Sequence, residues 1–159
     1  MILRVYVPSA KDTHRLGKII GKVIPEGTVV LLYGDLGCGK TCITKGIAEG
    51  LGISPEEVSS PSFIIIQEYG DKLVHVDLYR LSSVEDLESV GIEEYLFDGR
   101  VKVIEWPEIA EEILEGCPFE KLKIECHQEN SGRIFTISGN EKILKEIEKL
   151  FGGENVQNS

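Results

Sequence analysis

Gly34, Gly39, Lys40 and Thr41 occupy the fixed positions of G-x-x-x-x-G-K-[ST] within LLYGDLGCGKTCITKGIAEGL, and Gly37 adds a glycine inside the loop. Phosphate oxygens need several donors at close range. A loop of small residues can turn its backbone N–H groups inward around an anion. The helix expected to start near Lys40 adds the positive end of its dipole. Lys40 would reach the β- and γ-phosphates, and the Thr41 hydroxyl would ligate Mg2+. The context of the motif is present: Val29–Tyr33 is an apolar, β-branched run, and Ile43, Ile47, Ala48 and Leu51 recur at helical spacing. The chain is therefore expected to bind a nucleoside triphosphate. The contacts would come from residues 34–42, which include Asp35, Leu36, Cys38 and Cys42.

Such a loop needs an acid for the metal and a group to orient the nucleophile. Two apolar runs end in acids: LVHVD at Asp77 and VKVIE at Glu105. In open α/β sheets, ligands sit at the carboxyl ends of the strands, so both acids are placed to act. The competing reading for each is a solvated strand-end carboxylate. SSPSF offers the hydroxyls of Ser59, Ser60 and Ser62 before a strand, either as a loop that senses the γ-phosphate or as an ordinary turn. His75 alternates with Val74 and Val76 and reads as a structural histidine on a sheet face. Tyr79 and Trp106 follow the two acids, as site wall or as core.

The elements that must position these groups follow from periodicity. ILRVYVP reads as a strand, and Ser9 with Asp12 caps a helix carrying Leu16, Ile19, Ile20 and Val23. After the phosphate loop and its helix, residues 59–69 run from loop to strand, and Gly70-Asp71 turns into KLVHVDLYR as a hairpin. A helical stretch follows, capped by Ser83 and Asp86 and broken at Gly91. RVKVIEW is a buried strand, and Pro107 opens a short acidic helix. KLKIECHQ and GRIFTISG pair through ENSG, NEKILKEIEKLF is an amphipathic helix, and the final eight residues read as a tail. These elements predict an α/β, P-loop NTPase-like sandwich with helices on both faces. Its sheet would be mainly parallel with some antiparallel hairpin pairing. A single domain would span residues 1–151, with a flexible tail over 152–159.

Composition limits the function. The 159 residues are 42% apolar, enough for one core. There is no apolar run of about 18 residues and no secretory signal pattern, so the chain is expected in the cytoplasm, away from membranes. In that compartment Cys38, Cys42, Cys117 and Cys126 are expected to be reduced and unconnected. Cys38, inside the anion loop, would be either a reactive thiolate or an inert thiol turned away. Seventeen basic against twenty-seven acidic residues give a net charge of −10, which disfavours independent nucleic-acid binding and favours a protein partner or small substrate.

GDLGCGKT, SSPSF, HVDLYRL and IEWPE, in this order and spacing, closely resemble the bacterial TsaE family over residues 9–139. Its members are ATPases of tRNA threonylcarbamoyladenosine biosynthesis. The family's S-P-T-F stands here as Ser60-Pro61-Ser62-Phe63, which keeps the hydroxyl on a looser rotamer. The resemblance implies that residues 34–41 hold ATP and Mg2+, that Asp77 acts at the metal or the hydrolytic water, and that Glu105 helps hold Mg2+. It also implies that Trp106 borders the site and that Thr13 lies near the adenine. The implied partners are a TsaB-like protein and a TsaD-like transferase, which modifies adenosine 37 of tRNAs reading ANN codons. The implied role is ATP hydrolysis that resets this complex, weak alone and stimulated by the partners, with tRNA met only through the complex.

Two other classes remain open on the residues alone. A small-molecule kinase would use the same loop but usually needs clustered arginines. Here there are five, Arg4, Arg15, Arg80, Arg100 and Arg133, well separated in sequence. A nucleotide-binding regulator without useful hydrolysis is the other class. Arg80, three residues after Asp77, would point to the opposite face if its strand continued that far.

Overall fold

Central strand β2 (Val29–Tyr33) is apolar throughout because neighbours cover both its edges and both its faces. It pairs in parallel with β5 (Val101–Glu105) and β6 (Lys121–Glu129), and β5 pairs in parallel with β4 (Leu73–Asp77). The computed structural model describes residues 1–58 and 65–156. Antiparallel strands flank this parallel centre: β3 (Ile66–Tyr69) beside β4, and β7 (Gly132–Ser138) beside β6. β1 (Ile2–Val7) pairs with β7, and β8 (Glu154–Asn155) adds two residues to the edge of β1. The sheet order is β3-β4-β5-β2-β6-β7-β1-β8, the mixed sheet with a parallel core that the sequence predicts.

Alternation along β2 divides the core. Val30 and Leu32 join one buried cluster with α1 (Ala10–Val23), α2 (Lys40–Gly50) and α6 (Glu141–Phe151). Val29 and Leu31 join the other, with α3 (Val84–Val90), α4 (Ile92–Leu96) and α5 (Glu111–Glu115). Helices thus cover both faces. The helix starts are local chemistry: Asp12 N donates to Ser9 Oγ, and Asp86 N donates to Ser83 Oγ. Gly91, at φ 68°, ends α3 in the left-handed conformation.

α1 and α2 touch through their backbones. A Cβ on Gly17 would lie 2.4 Å from Ile43 O, and one on Gly46 would lie 2.3 Å from His14 O. Gly21 and Gly50 repeat the contact one turn on. Any side chain at these four positions would push the helices apart. Their close approach brings the first turn of α1 beside the first turn of α2, where the phosphate loop ends.

Three expectations are corrected. The β3–β4 turn has three residues, not two, because Tyr69 pairs with Leu73 and Lys72 N closes on Tyr69 O. β4 stops at Asp77, whose Oδ1 accepts Tyr79 N at 2.9 Å, so Tyr79 and Arg80 lie in a turn and the alternation argument for Arg80 lapses. The stretch after residue 151 is not wholly a free tail: Glu154 and Asn155 pair with β1, and Val156 N donates to Ile2 O.

Candidate active site

The loop between β2 and α2 needs its glycines. Gly34, Gly37 and Gly39 have φ of 139°, 76° and 114°, a region that side-chain-bearing residues rarely adopt. Gly39 caps α2 without a side chain, so the first-turn amides of α2 receive no cap from it and remain donors for an anion. Lys40 begins the helix, and its side chain folds back into the loop. Its Nζ donates to Gly34 O and lies 3.5 Å from the centre of the Trp106 ring. Burial pushes the Lys40 ammonium pKa down, and the charges of Glu105 and Asp77 oppose that shift.

β4 and β5 bring the two acids together. In their parallel register Asp77 stands directly opposite Glu105. Both share a cavity of 480 Å³ with Lys40, Thr41 and the aromatic pair Tyr79–Trp106, whose rings lie 4.8 Å apart. Burial raises the Asp77 pKa, the Tyr79 amide lowers it, and Glu105 adds a further raising charge. Glu105 is only 4% exposed, and His75 Nε2 lies 2.5 Å from its Oε2. Trp106 has φ 58°, a left-handed backbone on a non-glycine residue at the end of β5. Such strain commonly costs 1–3 kcal/mol and concentrates at functional sites. Here it accompanies an indole laid over Lys40.

These groups are compatible with Mg2+. Thr41, Asp77 and Glu105 are hard oxygen donors around one cavity. Among the described residues Tyr79 N bonds Oδ1 of Asp77 and His75 bonds Oε2 of Glu105. Mg2+ is characteristically held by one or two carboxylates, a hydroxyl, phosphate oxygens and water.

The remaining sequence candidates fall into four groups. Gly37, Gly39, Leu36 and Cys42 line the cavity, and Leu36 is 62% exposed at its mouth. Asp35 stays on the loop, where its carbonyl accepts Cys38 N. Thr13 is buried behind the loop, with its methyl 3.9 Å from a Cβ position on Gly39 and its hydroxyl on Ser9 O. Ser59, Ser60 and Ser62 lie outside the described residues.

Sequence reasoning missed two cations. Lys45 lines the cavity one turn along α2 from Thr41, a spacing that helical periodicity already contained. Arg133, on β7, donates from Nη2 to Gly37 O at 3.4 Å, and Gln128 on β6 donates to the same oxygen. Strand pairing alone brings that hairpin to the loop, so no local signal marks it.

The thiol expectation is corrected as well. Cys38 and Cys126 form a disulfide, with Cα atoms 6.2 Å apart, and Cys38 is 1% exposed. Cys38 therefore faces β6, not the anion site, and is no reactive thiolate in this state. Cys42 and Cys117 are free. The cross-link spans 88 residues. In the chain-entropy account a loop of that size removes about 4.6 kcal/mol of unfolded-state freedom. Without reductant, Cys126→Ser should melt well below the parent chain, and dithiothreitol should lower the parent to the level of the variant. Equal melting temperatures under both conditions would show that the bond does not stabilise the fold.

The family model described as threonylcarbamoyl adenosine biosynthesis protein TsaE matches residues 7–135. A Treponema pallidum protein named tRNA threonylcarbamoyladenosine biosynthesis protein TsaE is 45% identical over 116 residues, 71% of this chain and 85% of that protein. The Bacillus subtilis protein of the same name is 42% identical over 117 residues, covering 72% and 70%. Among solved structures, the crystal structure of Bacillus subtilis YdiB superposes with a TM-score of 0.75 at 32% identity, over 94% of this chain and 96% of that one.

Proposed function

Because the chain belongs to the TsaE family of tRNA threonylcarbamoyladenosine biosynthesis, we propose that it is a Mg2+-dependent ATPase that resets the threonylcarbamoyl-transferring complex. The observation that carries this reading is the parallel register that sets Asp77 beside Glu105, in one cavity with Lys40 and Thr41. The amides of the glycine loop and the start of α2 bind the phosphates. Lys40 leaves Gly34 O and moves to the phosphate charge. Thr41, Asp77 and Glu105 would hold the metal, and one of the two acids would also orient the attacking water. The chemistry that Mg2+ would supply there is charge neutralisation on the phosphates. Tyr79 and Trp106 wall the cavity against bulk water.

The partners in this reading are a TsaD-like transferase and a TsaB-like protein in the cytoplasm, and tRNA is met only through them. The net charge of −10 supports contact with proteins rather than directly with tRNA. Among the described residues no helix is long and apolar enough to cross a membrane. The test is steady-state phosphate release by the chain alone, then with the purified partners, then with tRNA. Release should be slow alone and rise more than about tenfold with partners, because efficient hydrolases of this kind need a cation on the transferring phosphate. Fast release that no addition changes would overturn the reset role. Transfer of the phosphoryl group to a metabolite would establish the kinase instead.

A further inference from the structure

Among the described residues, His75 is the one buried titratable side chain next to the site that the proposed reaction leaves without a task. It lies on β4, two residues before Asp77 and on the same face, and is 1% exposed. Its register partner on β5 is Val103, so the imidazole reaches along the sheet to the carboxylate of Glu105. The contact is 2.5 Å from Nε2 to Oε2. Two facing lone pairs would repel at that distance, so the proton is assigned to Nε2 and the imidazole donates. Nδ1 is buried and has no hydrogen-bond partner among the described residues. A buried polar group left unmatched carries a cost, which argues that the other nitrogen has a task that keeps the ring there.

We infer that His75 is a positioning residue: by holding Oε2 it fixes the Glu105 carboxylate so that the other oxygen stays turned into the cavity. A free glutamate samples several rotamers, and each one lost to ordering costs affinity when an ion binds. A carboxylate held in advance by a buried donor has already met that cost. Hydrogen bonds from such outer residues to ligating groups typically matter by tenfold to a hundredfold in metal affinity. The inference rests on the proposed role of Glu105.

The experiment titrates Mg2+ into protein saturated with a non-hydrolysable ATP analogue and follows Trp106 fluorescence. Trp106 is the chain's only tryptophan and adjoins Glu105. Glu105→Gln serves as the control for the site itself. His75→Leu fills the space without a donor, and His75→Gln restores an N–H. His75→Leu should need at least about tenfold more Mg2+ for half-saturation. His75→Gln should stay close to the parent chain. Affinity for the analogue without Mg2+ should be unchanged in both. If Glu105→Gln has no effect on the Mg2+ titration, the role of Glu105 fails and this inference falls with it. If Glu105→Gln weakens Mg2+ but His75→Leu does not, the inference alone is overturned. It is also overturned if His75→Gln is as weak as His75→Leu, or if analogue affinity without Mg2+ falls in parallel, which marks a structural role. Should His75→Leu fail to fold, a weakened Mg2+ titration in folded His75→Gln is sufficient to reject the idea.

Discussion

Lys40→Ala should reduce ATP hydrolysis by at least about 10²–10³-fold, the usual loss when one preorganised charge at a developing transition-state charge is removed. The side chain is 6% exposed and has no reason of its own to be buried. Its ammonium lies between the Gly34 carbonyl, the Trp106 ring and the charges of Asp77 and Glu105. Removing it leaves the loop without its own fixed cation at the centre of the phosphate site. Lys45 does not replace it, since five residues further along α2 is about 7.5 Å of helix rise. Arg133 is engaged at the Gly37 carbonyl on the side of the loop that faces β7. Phosphate release by the purified variant, together with analogue binding, is the measurement. A variant that hydrolyses ATP at the parent rate would remove the site from this loop.

What could be read from the sequence was what depends on neighbours in the chain. The phosphate loop is local chemistry, and Ser9, Ser83 and Gly91 mark helix ends by bonds or conformations within four residues. Asp77 and Glu105 were legible as strand ends because an acid after a buried apolar run needs a reason. Their pairing was not, since it depends on β4 and β5 lying side by side in one register. The same holds for Arg133 and Cys126, which reach the loop only because β6 pairs with β2 on one side and with β7 on the other. Cysteine chemistry was inferred from compartment, and spatial proximity overruled it. The glycines of α1 and α2 carry meaning only once the two helices are known to pack together, and they set where Thr13 meets Gly39. His75 was read as structural from its alternation. Its partner, Glu105, lies thirty residues on and on another strand.

Asp77→Ala and Glu105→Ala should each lower turnover by about 10²–10³-fold, the usual loss when one preorganised group at a developing charge is removed. Nucleotide affinity should change far less, because the loop amides and the start of α2 carry the phosphate contacts and neither variant touches them. The two variants should differ in stability. Among the described residues Asp77 Oδ1 accepts the Tyr79 amide, in a turn whose aromatic ring is 51% exposed, so water can replace that bond. Glu105 is buried, and its loss strands the His75 donor in a region closed to solvent. An unmatched buried donor costs about 1–3 kcal/mol. Glu105→Ala should therefore melt several degrees below Asp77→Ala, while the two lose turnover comparably. Calorimetry and phosphate release on the same preparations separate the two effects. Normal hydrolysis in both variants would mean that the two acids are structural carboxylates, and the catalytic reading of the strand ends would be lost. Reduced hydrolysis with an equal loss of analogue affinity would instead assign them to nucleotide binding alone.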